Sequence, residues 1–103
     1  MPIPVAQLVE QAADLFNVPT KDILSPSRLQ EHVRPRGAIA LAALLSGRGQ
    51  VDIARRLQRK CHSSIHSLIK STRQRIEANA DYRAKVEALI ATATDWNSKY
   101  AIQ

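Results

Sequence analysis

Residues 50–65 read Gln50-Val51-Asp52-Ile53-Ala54-Arg55-Arg56-Leu57-Gln58-Arg59-Lys60-Cys61-His62-Ser63-Ser64-Ile65. Val51, Ile53, Ala54 and Leu57 fall on one side of a short helix. Gln58 to Cys61 form the turn after it. His62 or Ser63 then caps a second helix, whose apolar side is Ile65, Leu68, Ile69, Thr72 and Ile76. The opposite side carries His62, Ser63, His66, Lys70 and Arg73. Two short helices across a tight turn read as a helix-turn-helix. A second helix that is apolar behind and cationic and hydroxylated in front suits a groove of duplex DNA.

The charge lies in the same place. Residues 53–76 hold seven Lys or Arg and no Asp or Glu. Residues 28–75 hold eleven basic and two acidic residues, a balance of +9. The flanking segments carry −2 and −1, which returns the overall +6. Phosphate contacts need basic residues clustered in this way. A pI near 10.1 points to an acidic partner, nucleic acid before anionic membrane.

A chain of 103 residues, 45% hydrophobic and 23% charged, is one ordinary globular domain. Three glycines, few β-branched clusters and abundant Ala, Leu and Arg predict an all-α bundle of five to six helices. The single cysteine cannot close an internal disulfide, which predicts an intracellular protein; with DNA as partner, the expected location is cytoplasmic and nucleoid-associated. The N-terminus lacks the basic and apolar regions of a signal peptide. The longest apolar run, residues 38–45, is too short to span a membrane.

Along the chain, Val5, Leu8, Val9, Ala12, Leu15 and Phe16 recur on one side of a first helix, from near Pro4 to Phe16. Asn17 ends it. Thr20 reads as the N-cap of a short turn through Leu24, with Ile23 and Leu24 bound for the core. Ser27 and Gln30 have capping-box spacing. Proline disfavours helix at the residue before it, so Arg34 reads as extended and Pro35 as the first turn of a helix over residues 35–45. Arg34 and Arg36 then stand at a helix entrance, where phosphate is attracted. The run 38–45 has no polar side and reads as the central core helix, ended by Ser46-Gly47-Arg48-Gly49. The second helix of the central motif runs to about Ala78. Asn79 or Asp81 caps a last helix with Tyr82, Val86, Leu89, Ile90 and Ala93 on one stripe. Residues 1–95 form the domain and 96–103 a tail; Trp96 and Tyr100 continue the stripe, as an extended helix, a tail, or a contact for a second copy.

Several pieces match a known family in order and spacing. They are Phe16-Asn17-Val18, Asp22-Ile23-Leu24, Arg28, Arg34-Pro35-Arg36, the apolar helix ending Leu45-Ser46-Gly47, then Ile53, Arg55, Leu57 and His62-Ser63-Ser64-Ile65. Over about seventy residues the chain resembles the C-terminal DNA-binding domain of the bacterial replication initiator DnaA. The resemblance implies an all-α bundle, a recognition helix in the major groove and an arginine in the minor groove. It puts Arg36 at the minor-groove position, His62, Ser63 and Ser64 at base and phosphate contacts, and Lys60 where the family has an arginine. The family pattern Gly-Gly-Arg-Asp-His-Thr-Thr-Val reads Gln58 to Ile65 here. Both glycines are gone, which predicts a different turn. The aspartate that could accept from a cytosine amino group is Cys61, which predicts relaxed reading of the initiator's own site. The chain has no Gly-rich phosphate loop and no room for an ATPase domain, so a binding module standing alone is expected.

The expected function is sequence-preferring binding of double-stranded DNA in transcription or replication control. Arg34, Arg48, Arg55 and Lys70 contact phosphates; Lys60, His62, Ser63 and His66 read base edges. The alternative is a non-enzymatic helical module docking on an acidic partner. Cys61, His62 and His66 are too few and badly placed for zinc. No catalytic constellation stands out, and neither cofactor nor membrane partner is expected. The sequence is compatible with a homodimer.

Overall fold

The computed structural model describes residues 3–59 and 62–100, with the backbone alone at His62, Ser63 and Tyr100. The described residues form six helices and no strand: α1 (Val5–Phe16), α2 (Thr20–Ile23), α3 (Gln30–Leu45), α4 (Gln50–Arg56), α5 (His62–Ala78) and α6 (Ala80–Tyr100). The fold is all-α.

The apolar run of α3 dictates the architecture. A helix that is apolar on every side must be covered on every side. Every residue from Pro35 to Ala43 is buried, and α3 touches all five other helices. Around it lie the apolar stripes of α1 (Val5, Leu8, Val9, Ala12), α5 (Ile65, Ile69) and α6 (Tyr82, Val86, Leu89, Ala93). Small residues let the neighbours come close. A Cβ built on Gly37 would sit 2.1 Å from Thr72 Oγ1, so α5 crosses α3 where α3 has no side chain.

Three helix ends follow from their sequences. Asn17 closes α1 in the left-handed region, φ 55°, and its N–H donates to Ala13 O. After α3, Gly47 at φ 109° donates to Leu44 O and Arg48 N–H to Ala43 O, the paired bonds of a Schellman motif. At the start of α6, Asn79 Oδ1 accepts from Tyr82 N–H at 3.0 Å, as an N-cap should. Asn79 is therefore the residue that caps α6.

Five local expectations differ from the structure. Pro35 does not start α3: the helix begins at Gln30, Arg34 is helical, and the proline sits inside. Long-range bonds hold the turn that proline would loosen. Tyr82 Oη–H donates to Arg34 O at 2.7 Å, and Arg75 Nη2 donates to Gln30 Oε1 at 2.8 Å. Thr20 is the first helical residue of α2 rather than its cap, which is Pro19. The Ser27–Gln30 capping box does not form; Ser27 Oγ accepts from Leu29 N–H (3.2 Å) and pairs with His32 Nδ1 (2.8 Å). Val51 is 57% exposed, so the apolar side of α4 is Ile53, Ala54 and the following Leu57. The tail boundary proposed after residue 95 falls inside α6, where half-buried Trp96 packs on the core and Asn97 Nδ2 donates to Ser46 O at 3.3 Å.

Candidate nucleic-acid interface

The apolar stripe of α5 fixes which of its residues face water. Ile65, Ile69 and Thr72 are buried against the bundle. Ser64, His66, Ser67, Lys70, Ser71, Arg73 and Gln74 are consequently exposed. Among the described residues no carboxylate comes within 4.0 Å of His66, Lys70 or Arg73. This face offers hydroxyls, an imidazole and uncompensated cations. The side chains of His62 and Ser63 lie outside what the structure describes, and so does the whole of Lys60.

The end of α4 shapes the approach to α5. Gln58 is left-handed at φ 60°, and its N–H donates to Arg55 O at 3.1 Å. Arg59 N–H donates to Ala54 O at 2.7 Å. This is a second Schellman closure, with glutamine in the conformation that favours glycine. A left-handed turn therefore stands here without a glycine.

Arg36 is corrected from the expected groove contact. It is 4% exposed and points into the protein. Its Nε donates to Ile23 O (2.8 Å), Nη1 to Ser27 O (3.0 Å) and Nη2 to Ser25 O (2.9 Å), with Asp22 O also 3.5 Å from Nη2. A planar guanidinium can satisfy several divergent carbonyls at once, which is why an arginine fits this hole. Burial, and after it the like charge of Arg59, push the Arg36 group down to about 10.

Arg48, expected at a phosphate, is partly covered and engaged within the chain. Its Nε donates to Ile3 O at 2.9 Å and its Nη1 to Asp52 Oδ2 at 2.7 Å, so it pins the N-terminal segment to α4. The Arg48 hydrogen bond, then that from Arg56, holds the Asp52 carboxyl below its ordinary range. Arg34 and Arg55 are exposed, on α3 and α4. Ser64, His66 and Lys70 share α5.

Two arginines outside the expected set belong to this region. Arg28 is exposed on the loop between α2 and α3. Arg59 donates through Nε to Leu57 O (3.1 Å) and through Nη2 to Leu24 O (3.3 Å) and Ser25 O. Arg28, Arg36, Gln58, Arg59 and Ser64 line one open recess of about 480 Å³ at the start of α5. Among the described residues no acidic one lines it. An arginine flanked by Ser25-Pro26-Ser27 in a loop was the one local signal for Arg28. Arg59 gave none, because its bonds run to residues 34 and 35 positions away.

Fold and site together define a small all-α module with a basic helix face and a basic loop beside it. The chain is similar to the chromosomal replication initiator protein DnaA of Rickettsia bellii, with 26% identity over 89 residues. The DnaA proteins of Rickettsia canadensis and Rickettsia rickettsii are 27% identical over the same length. These matches cover 85% of this chain but only 19% of each relative. No family model matches the chain.

Proposed function

We propose that this chain binds duplex DNA with sequence preference and serves chromosome replication or its control. Three parts would do the work. Helices α4 and α5 form a helix-turn-helix, and the exposed face of α5 enters the major groove. His62, Ser63, Ser64 and His66 read base edges there, with Lys60 at the approach. Arg34, Arg55 and Lys70 contact phosphates. Arg28, not Arg36, is the arginine free to reach an adjacent minor groove.

The observation that carries this reading is the acid-free exposed face of α5. His66, Lys70 and Arg73 project from one rigid helix with no carboxylate within ion-pairing distance among the described residues. A helix fixed by its buried stripe can present such a face in one orientation. The similar proteins are chromosomal replication initiators, which agrees with a DNA ligand.

The test is selection of bound sequences from a random duplex pool, followed by salt titration. Wild type should enrich a defined site. Lys70→Ala should weaken all duplexes and reduce the salt slope by about one. Arg28→Ala should weaken A·T-flanked sites most. No retention of duplex at physiological salt would overturn the reading and favour an acidic protein partner.

A further inference from the structure

The loop that carries Arg28 has little to hold itself in place. Its own bonds are Ser25 N–H and Oγ–H to Asp22 O, Ser27 N–H to Ser25 Oγ (3.3 Å), and Leu29 N–H to Ser27 Oγ (3.2 Å). Pro26 supplies no donor. Four carbonyls here, of Ile23, Leu24, Ser25 and Ser27, accept from two arginines in distant parts of the chain. Arg36 grips Ile23, Ser25 and Ser27 from α3. Arg59 grips Leu24 and Ser25 from the end of the α4 turn. Both meet at Ser25 O.

The two grips differ in what they connect. Arg36 ties the loop to the core. Arg59 stands three residues before the start of α5 and one after the left-handed Gln58. It therefore ties the loop to the approach of the helix proposed to lie in the major groove. Neither guanidinium has a carboxylate within 4.0 Å among the described residues, and the hydrogen bonds that orient them there run to backbone carbonyls.

We infer that Arg59 is a positioning residue that sets sequence discrimination: it fixes the distance between Arg28 and the exposed face of α5, so that loop and helix read DNA as one rigid unit. The inference rests on the DNA-binding reading above. Its physical basis is preorganisation. A loop ordered before binding loses less conformational freedom on binding. A fixed spacing also makes a mismatch under the helix felt at the loop, and the reverse. An Arg59 that instead touched phosphate directly would act independently of Arg28 and contribute to the salt slope.

A double-mutant cycle in the full chain separates these. Wild type, Arg28→Ala, Arg59→Ala, the double variant and Arg59→Lys are compared on the selected duplex and on a scrambled one, at several salt concentrations. Amide hydrogen exchange of Ser25, Ser27 and Leu29 is followed alongside. Each single alanine variant should lower discrimination by roughly five- to tenfold, about one groove contact, and the double variant by no more than either. The salt slope should not change with Arg59→Ala. The loop amides should exchange at least about tenfold faster in Arg59→Ala, while those of α3 stay protected. Arg59→Lys, with one donor group in place of a fork, should recover part of both effects, and it carries the same cycle should Arg59→Ala not fold. Multiplying losses, a slope lower by about one, or unchanged loop exchange would each overturn the inference. If wild type does not discriminate between duplexes, the DNA reading falls. The exchange measurement then decides the clamp alone: faster loop exchange supports it and unchanged exchange rejects it.

Discussion

Replacing Arg36 by Met should destabilise the protein by about 3 kcal/mol, a value that follows from the hole the side chain fills. The guanidinium is pushed from 12.5 to about 10, first by burial and then by Arg59. At 1.36 kcal/mol per pH unit, holding that charge inside costs about 3 kcal/mol, which methionine would relieve. Against this stand the carbonyls of Ile23 and Ser27, which lose their donor, and that of Ser25, which keeps only Arg59. Two stranded buried carbonyls cost about 2 kcal/mol each and one lost hydrogen bond to a charged group about as much again, roughly 6 kcal/mol together. The net loss is near half of that. For a domain of this size each kcal/mol lowers the melting temperature by about 4–8 °C, so a fall of roughly 12–24 °C is expected. Urea and thermal unfolding followed by circular dichroism measure it. Arg36→Lys should recover little, because an ammonium cannot fork to divergent carbonyls. A stability change below about 1 kcal/mol, with duplex affinity abolished, would mean that the guanidinium works outward after all.

Other outcomes follow from single features. Gln58→Gly should raise stability by up to about 1 kcal/mol, since the left-handed conformation costs glutamine roughly 1–2 kcal/mol and glycine recovers most of it. A lower melting temperature would show that the Gln58 side chain stabilises the turn by contacts. Gly37→Ala should cost about 1–3 kcal/mol from overpacking against Thr72, less up to about 1 kcal/mol of helix propensity. Adding Thr72→Ala should return part of the loss; equal melting of wild type and Gly37→Ala would contradict the close crossing of α3 and α5. Asp52→Asn should lower stability at neutral pH. Asp52 is held below its usual 3.8, chiefly by the Arg48 hydrogen bond. Its contribution is therefore present above 3.8 and lost as pH falls through the lower folded value. The gap between variant and wild type should close in acid, and a gap constant down to pH 2 would count against the ion pair.

Much of the fold was readable because its signals are local and periodic. The stripes of α1, α5 and α6 announce themselves at helical spacing, and the alanine-rich run of α3 can only be central. Asn17, Gly47 and Asn79 mark ends through their own backbone chemistry. The misreadings share one cause. Pro35 speaks locally for a helix start, but Tyr82, 47 residues later, holds the turn before it. Val51 fits an apolar pattern on α4 that the bundle does not cover. Arg36 and Arg48 look like surface cations because nothing in the sequence says which arginine will find backbone carbonyls to fill. The exposed face of α5 was legible from its stripe, since burial of one side determines the other. The recess beside it was not, because Arg28, Arg59 and Ser64 meet only through the fold.

The placement of α3 at the hub has an evolutionary and a practical side. With five helices resting on one pillar, its removal takes a packing partner from every one of them. Proteolytic fragments lacking residues 30–45 should therefore be unstructured, and melting should be a single cooperative event. Change in such a molecule falls most easily on its rim: loops and outward side chains can drift toward new targets, while the pillar has no space for even an alanine methyl where α5 crosses it at Gly37.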